Sequence, residues 1–281
     1  MEEQMKRLFI LMLFVCAGWL VADAQPKPEK PVVEKNGTVR HPWFGVRIGY
    51  IGDSITDPGC YTDVKRYWSF LEDWLGTTSF VCAVNGRQWD DVPRQAEQLK
   101  KEHGGEVDAI LVFMGTNDYN SGIPVGEWFA EAPVQVKGAR GQMMARVRRT
   151  LVMDRNTYKG RINVGISRLK QLFPDKQIVL LTPLHRAYAT FGEDNVQPDE
   201  SYQNSCGEYI DAYVQAVKEA GSLWGVPVVD LNACSGLNPM VDEQVIYFRD
   251  KETDRLHPNT LGQERMARTL LYQLLAIPAL F

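Results

Sequence analysis

A nearly continuous apolar run, VDAILVFM at residues 107–114, constrains the fold of this chain more than any other feature of its sequence. An apolar run of this length is typical of a strand that is buried on both faces, as in a parallel sheet. Parallel strands need a crossover connection between them, and that connection is usually a helix. The rest of the chain should therefore alternate between strands and helices.

That alternation is visible in the residues before and after the run. Four further apolar segments predict strands, and amphipathic segments between them predict helices. The predicted strands are 46–51, 79–84, 107–114, 177–182 and 226–231, and the predicted helices are 67–75, 92–101, 162–173, 209–224 and 259–275. We therefore predict an α/β fold, a doubly wound parallel sheet of about five strands with helices on both faces.

The N-terminal 42 residues differ in kind from the rest of the chain. Lys6 and Arg7 precede the apolar stretch 8–21, and the small residues Ala22 and Ala24 follow it. This is the pattern of a secretory signal peptide, and the stretch is shorter than the roughly 20 residues of a membrane span. We predict a signal peptide at 1–24, a flexible Pro- and charge-rich linker at 25–42, and a single domain at 43–281. The predicted location is the periplasm or the medium, with no stable membrane span after signal removal.

The cysteines bear on anchoring and on redox state. Cys16 is disfavoured as a lipoprotein anchor, because residues 13–15 are bulky where small residues are expected. Four cysteines remain after signal removal, and they allow three pairings: Cys60, Cys82, Cys206 and Cys234. Cys82 lies in an apolar run and is predicted to be a buried thiol, whereas Cys206 with Cys234 is the pairing to test first. No cysteine spacing resembles a zinc site.

Residues 120–159 interrupt the alternation and are longer than an ordinary connection. They carry several basic side chains: Lys137, Arg140, Arg146, Arg148, Arg149 and Arg155. Two interpretations are open, a solvated excursion with its own local packing and a lid or side wall beside a binding site. The net charge of the whole chain is −4, which gives no reason to expect nucleic acid as a partner.

Polar residues cluster where three predicted strands end, and again before the last predicted helix. The four clusters are Gly52-Asp53-Ser54-Ile55-Thr56, Asn85-Gly86, Gly115-Thr116-Asn117-Asp118 and Asp254-Arg255-Leu256-His257. A doubly wound sheet places its sites just past the carboxyl ends of its strands. The first three clusters should therefore meet at one edge of the sheet.

These residue types supply what ester hydrolysis by a hydroxyl nucleophile requires. Ser54 offers the hydroxyl at a predicted strand-to-helix junction, where the positive helix end would favour a developing negative charge. His257 offers a base, and Asp254 can fold back onto its Nδ1 atom from three residues earlier. The Gly86 N–H and the Asn117 side-chain amide are candidate donors to an oxyanion.

In this order, the four clusters resemble the sequence blocks of the SGNH (GDSL-like) hydrolase family, over roughly residues 45–275. The resemblance implies a three-layer, flavodoxin-like fold and hydrolysis of acyl esters with no cofactor and no metal. It also implies that Ser54 is the nucleophile, His257 the base and Asp254 the acid that orients it. The implied oxyanion hole consists of Ser54, Gly86 and Asn117. The excursion at 120–159 departs from compact members of the family.

We expect a secreted serine esterase that forms an acyl-enzyme and acts on acylated small molecules or polysaccharides. Export and nearby aromatic residues favour O-acetyl or other short acyl groups on carbohydrates. Two alternatives remain open: a lipase, lysophospholipase or thioesterase for longer acyl chains, and a non-catalytic sugar-binding protein on the same fold. The candidate substrate contacts are Asp53, Trp89, Tyr119, Trp128 and His185. The aromatic members of this set can equally be core residues.

Overall fold

Strands and helices alternate along most of residues 40–279, which are the residues that this computed structural model describes. The strands are β1 (Arg47–Gly52), β2 (Thr78–Val81), β3 (Ala109–Phe113), β4 (Phe129–Lys137), β5 (Met143–Leu151), β6 (Gln177–Leu181), β7 (Ala189–Thr190), β8 (Val196–Gln197), β9 (Val228–Val229), β10 (Phe248–Asp250) and β11 (Asp254–Pro258). The helices are α1 (Tyr67–Leu75), α2 (Val92–His103), α3 (Thr116–Asn120), α4 (Tyr158–Leu172), α5 (Ile210–Trp224), α6 (Leu231–Cys234) and α7 (Thr260–Gln273).

Five of the strands form the predicted parallel sheet, in the order β2-β1-β3-β6-β9. This is the flavodoxin-like order, so the predicted fold class is confirmed. The chain direction across the sheet reverses between β1 and β3, because β2 lies on one side of β1 and the later strands lie beyond β3. Such a switch point opens a crevice at the carboxyl ends of the two strands. The loops after β1 and β3 are therefore placed to build a site.

The central strands bury both of their faces, which explains their continuous apolar sequence. In β3, Ile110 and Val112 belong to the core layer formed with α2, α4 and α5. Leu111 and Phe113 belong to the opposite core layer, formed with α1 and α7. Because successive strand residues point to opposite faces, the sheet lies between two layers of helices.

A second sheet, which was not predicted, is antiparallel and has the order β10-β11-β7-β8. Its strands have two to five residues each, too short for a periodic sequence pattern. Asp254 of β11 pairs with Ala189 of β7, and Phe248 of β10 pairs with Pro258. This small sheet holds the C-terminal polar cluster in an extended conformation.

The excursion at 120–159 contains a long β-hairpin, which we call the arm and define as residues 129–151. Its strands β4 and β5 pair in continuous register from Phe129 with Leu151 to Lys137 with Met143. At the base, the Asn163 side chain donates to the carbonyl oxygens of Trp128 and Val152. The excursion is therefore ordered β structure with its own local pairing.

Element boundaries differ from the predictions mainly at the ends of the sheet. The predicted strand 226–231 shortens to Val228–Val229, and 79–84 becomes Thr78–Val81. The predicted signal peptide and most of the predicted linker lie outside the described residues. His41, at the end of that linker, already contacts the domain, with Nε2 2.8 Å from the Leu271 carbonyl oxygen. Within residues 40–279, no helix combines the length and the hydropathy that crossing a membrane requires.

The cysteine predictions have mixed outcomes. Cys82 is buried, as predicted. The pairing of Cys206 with Cys234 is wrong for this structure, because both thiols are free. Cys206 Sγ lies 3.1 Å from Asn204 Oδ1, and the Cys234 thiol donates to the Asp230 carbonyl oxygen instead.

Candidate active site

Ser54 follows β1 directly and lies in a single tight turn. The Thr56 and Asp57 N–H groups both donate to the Asp53 carbonyl oxygen, at 3.1 and 2.9 Å. The expected strand-to-helix junction is wrong, because the next helix, α1, begins only at Tyr67. Any stabilisation of negative charge beside Ser54 must therefore come from local N–H groups and not from the end of a long helix.

The structure brings Ser54, His257 and Asp254 together in one chain of hydrogen bonds, which we call the relay. Ser54 Oγ lies 2.8 Å from His257 Nε2. His257 Nδ1 lies 3.0 and 3.1 Å from the two carboxylate oxygens of Asp254. The exposed fractions of the three residues are only 3%, 5% and 5% respectively, so water screens this relay little. With a proton on Nδ1, the imidazole presents its Nε2 lone pair to the serine hydroxyl.

Asp254 is held as a carboxylate by several donors. Its Oδ1 accepts from the N–H groups of Leu256 and His257, and its Oδ2 accepts from the Tyr61 hydroxyl at 2.7 Å. Burial acts to raise the pKa of Asp254, but hydrogen bonds from His257 and Tyr61 outweigh it and keep that pKa below its usual value. The carboxylate therefore stays charged wherever His257 has to act as a base.

Tyr61 is a site residue that the sequence analysis missed. Its backbone has φ +55°, a conformation that is uncommon for residues other than glycine. Its ring meets the His257 ring edge to face, with 5.2 Å between centroids, and the Arg249 guanidinium lies 4.3 Å from the Tyr61 centroid. No local pattern could have revealed Tyr61, because it is 193 residues from its partner Asp254. Tyr61 thus orients the acid and packs against the base.

Removal of the Tyr61 hydroxyl should slow the reaction without changing substrate binding. The variant Tyr61→Phe keeps the ring against His257 but removes one donor to Asp254, so we expect kcat to fall by up to about tenfold with KM unchanged. Steady-state kinetics measure both values. Tyr272→Phe is the matched control, since Tyr272 is 66% exposed on α7. If kcat is unaltered, Tyr61 has no positioning role.

Gly86 lies in a loop that is tied to the Ser54 turn. Its φ is +74°, a conformation that glycine adopts without steric cost. The neighbouring Asn85 N–H donates to the Asp57 carboxylate at 2.8 Å, which fixes the loop beside the turn. The backbone N–H groups of Ser54 and Gly86 have no acceptor among the described residues. Both are therefore free to donate to a bound ligand.

The Asn117 side chain follows β3 and reaches across to the same loops. Its Nδ2 donates to the Arg87 carbonyl oxygen at 3.0 Å and lies 3.4 Å from Asp53 Oδ2. The second contact is long, and it is the one that a ligand oxygen could replace. Asn117 thus joins the ends of β1 and β3 across the switch point, as its predicted role requires.

Two buried carboxylates support these loops from below. Burial raises the pKa of Asp53 to about 7, and its Oδ1 accepts from the Ile55 N–H at 3.1 Å. Burial likewise raises the pKa of Asp118 to about 6, against the effect of donors from Trp89 and Arg161. Asp53 is 2% exposed and its hydrogen bonds are internal, so its contact with substrate stays a prediction.

The predicted aromatic contacts prove to be mainly packing residues. Trp89 has 0% exposure and lies in the core beside α2 and α4, so it offers no face to a ligand. Tyr119 is 4% exposed and donates its hydroxyl proton to the Tyr202 carbonyl oxygen. Trp128 lies at the base of the arm, where its Nε1 donates to Glu219 at 2.7 Å. A sequence cannot separate such residues from ligand platforms, because both uses favour the same side chains.

Two other residues border the relay more closely. His185 Nδ1 lies 2.7 Å from Glu200 Oε1, and this hydrogen bond raises the pKa of His185. His185 also lines a small cavity of about 10 Å³, room for about one water molecule, together with Asp53, Ile55, Thr116 and Leu256. Phe191, which the sequence analysis missed, is 40% exposed and lies 5.5 Å from His257 between ring centroids. Within residues 40–279 no three His, Cys, Asp or Glu side chains are grouped as metal ligands.

The comparison with family models identifies one match. The model described as the GDSL-like lipase/acylhydrolase family matches residues 50–265, a span that includes all of the relay. No curated protein is detectably similar in sequence.

Solved structures with the same fold cover nearly the whole of their own chains. A Lactobacillus plantarum protein has a TM-score of 0.62 and 22% identity, over 82% of this chain and 97% of its own. A possible lipase from Chitinophaga pinensis has a TM-score of 0.61 and 21% identity, over 81% and 97% of the two chains. An acetylxylan esterase from Geobacillus stearothermophilus has a TM-score of 0.50 and 16% identity, over 85% and 97%.

Proposed function

Because this chain belongs to the GDSL-like lipase/acylhydrolase family, we propose that it is a serine esterase that removes short acyl groups, chiefly acetyl, from carbohydrate hydroxyls. The observation that carries the proposal is the relay itself. Its nucleophile–base distance is 2.8 Å and its base–acid distance is 3.0 Å, both within hydrogen-bond range. A protein that only binds sugar would not need a buried serine, histidine and aspartate at hydrogen-bond distances from one another.

In the acylation step, Ser54 Oγ attacks the carbonyl carbon of the ester while its proton passes to His257 Nε2. The oxyanion that forms is stabilised by the free N–H groups of Ser54 and Gly86 and by the Asn117 amide. The tetrahedral intermediate collapses, the ester C–O bond breaks, and His257 Nε2 returns the proton to the departing alcohol. Asp254 stabilises the imidazolium between these two transfers.

In the deacylation step, a water molecule takes the place of the alcohol. His257 Nε2 accepts a proton from this water as its oxygen attacks the acyl carbon of the acyl-Ser54 ester. Collapse of the second tetrahedral intermediate releases the carboxylic acid, and the same proton returns to Ser54 Oγ. The chemistry needs only the residues described, since proton transfer and oxyanion stabilisation are both supplied by the chain.

The aromatic residues beside His257 support a carbohydrate substrate. Phe191 and Tyr61 flank His257 on the outer side, where an aromatic face could pack against a sugar ring. The Geobacillus stearothermophilus neighbour is an acetylxylan esterase, but at 16% identity that likeness extends to the fold alone.

A chain-length series of p-nitrophenyl esters tests the acyl preference. We expect kcat/KM to be highest for the acetate and to fall steadily towards the decanoate, as the proposed preference for short acyl groups requires. Acetate release from acetylated xylan oligosaccharides, measured enzymatically, tests the alcohol side. A maximum at long acyl chains would contradict the acetyl-esterase proposal and favour a lipase or thioesterase.

Loss of the Asn117 amide should slow the chemical step. We expect Asn117→Ala to lower kcat by roughly 10²–10³-fold, the usual loss for one oxyanion donor. Kinetics on p-nitrophenyl acetate measure this effect, with Asn156→Ala as control, because Asn156 is exposed in a turn and bonds only to Asp154. An unchanged kcat would remove Asn117 from the oxyanion hole.

Export is a separate part of the proposal. It is supported by the basic start, the apolar stretch and the Ala22-Asp23-Ala24 exit of the N-terminal sequence. Mass spectrometry of the protein from its native host should find Gln25 as the first residue. A mature N-terminus at Cys16 would point to lipid anchoring instead.

A further inference from the structure

The arm, residues 129–151, is the part of the described chain with the least support from its surroundings. Almost every residue of β4 and β5 is exposed, and the four others are only partly buried. Within residues 40–279, its two strands pair with each other and with no third strand. A two-stranded hairpin is marginally stable by itself in water. We therefore expect a partner to cover an ordered arm of this length and to stabilise it.

Apolar side chains lie on both faces of the arm. The register places Phe129, Pro133 and Val147 on one face, with Met143 nearer the tip. The other face carries Val134, Val136 and Met144. Val147 is 66% exposed and Met143 is 61% exposed. A ribbon meant only for solvent would carry polar side chains at these positions, so the pattern is typical of a protein–protein contact.

The arm also differs in charge from the rest of the domain. Residues 129–151 contain five basic side chains and one acidic side chain, Glu131. The remainder of residues 40–281 contains 21 basic and 29 acidic side chains. The arm is thus a basic projection from an acidic body. Arg146 and Arg148 share one face of it and have no acidic partner among the described residues.

The body carries a surface that complements the arm, which we call the acidic segment and define as residues 187–211. It has no Lys or Arg, and its acidic residues are Glu193, Asp194, Asp199, Glu200, Glu208 and Asp211. Apart from Phe191, which borders the relay, it also exposes large apolar side chains: Tyr188, Val196, Tyr202 and Tyr209. Acidic and aromatic groups together match the basic and apolar groups of the arm.

We propose that the arm of one copy docks against the acidic segment of a second copy of this chain, with the reverse contact made by the other arm. Such reciprocal contacts follow from a twofold axis, the commonest symmetry of soluble oligomers. The arm has 23 residues, and a stable interface uses about 20–30 residues on each side. A polyanionic polysaccharide would engage the arginines but would leave Val136, which is exposed on the same face, in water. The inference does not depend on the proposed esterase activity.

Sedimentation velocity of the mature chain, residues 25–281, tests the proposal at concentrations from 0.1 to 100 µM, a span of about 1,000-fold. We expect a dimer in the wild type. Arg146→Glu/Arg148→Glu should weaken dimerisation by about 100-fold or more, since arginine is enriched among the residues that dominate interface energetics and each reversal places a carboxylate against the acidic segment. Val136→Lys, on the same face as the two arginines, should weaken it through the apolar contact alone. The control Lys101→Glu, an equally exposed charge reversal on α2, should leave it unchanged.

A charge exchange makes the test specific. Glu193→Arg/Asp194→Arg should also give a monomer, and combining it with Arg146→Glu/Arg148→Glu should restore the dimer. Circular dichroism establishes that each variant is folded. A wild type that is monomeric at every concentration overturns the proposal, as does a dimer that survives all the arm variants. A monomer whose arm binds polygalacturonate would overturn it in favour of a polysaccharide site.

Discussion

Replacement of Ser54 with alanine should abolish turnover, with kcat reduced by about 10⁶-fold. The loss is this large because the alanine side chain has no atom that can form the acyl-enzyme. The fold should survive, since the only side-chain contact of Ser54 Oγ among the described residues is His257 Nε2. Hydrolysis of p-nitrophenyl acetate and labelling by a fluorophosphonate probe are the two measurements. Both should disappear while the thermal midpoint stays within a few degrees of the wild-type value.

Ser222→Ala is the matched control, because Ser222 is exposed on α5, well outside the relay. It should keep full activity and labelling. Labelling that persists in Ser54→Ala would show that another residue is the nucleophile. A folded wild-type protein that resists the probe would instead favour the sugar-binding alternative.

Replacement of Asp254 with asparagine should lower kcat by about 10⁴-fold. The amide oxygen can still accept from the N–H groups of Leu256 and His257, so the local backbone is preserved. The amide NH₂ would then face His257 Nδ1. Because the NH₂ group donates, Nδ1 must be unprotonated to accept this hydrogen bond. That places the imidazole proton on Nε2, where it blocks proton transfer from Ser54. The change of tautomer, and not a loss of structure, causes the expected loss of rate.

The test is the pH profile of kcat, measured for Asp254→Asn and for the wild type. Asp175→Asn, an exposed surface change, should leave the profile unaltered. The double variant Ser54→Ala/Asp254→Asn should be no slower than Ser54→Ala alone, because the two residues act as one unit. A wild-type rate in Asp254→Asn would exclude Asp254 from the relay.

The central sheet could be predicted because its signals are local and strong. The run at 107–114 is apolar except for Asp108, and β3 lies inside it with both faces buried. The predicted helix 209–224 agrees with α5 within one residue, because its apolar face is long and ends at Gly225. The relay could be located because its members lie in short motifs whose order fixes which loops they occupy.

Other features could not be predicted, for physical reasons that differ from case to case. Tyr61 acts on Asp254 only through the tertiary fold, so no spacing in the sequence indicates it. Trp89 is equally suited to a core and to a ligand platform. The arm did leave a signal, since apolar and polar residues alternate on either side of the Gly-containing loop at 138–142.

The long separation between the nucleophile and its base has a consequence for biosynthesis. His257 follows Ser54 by 203 residues and lies on a strand near the C-terminus. Chains emerge from the ribosome N-terminal end first, and contacts so distant along the chain form late in folding. A nascent polypeptide of this protein would thus carry an inert serine while the next 203 residues are made, and would be able to cleave esters only when the segment that holds His257 has docked.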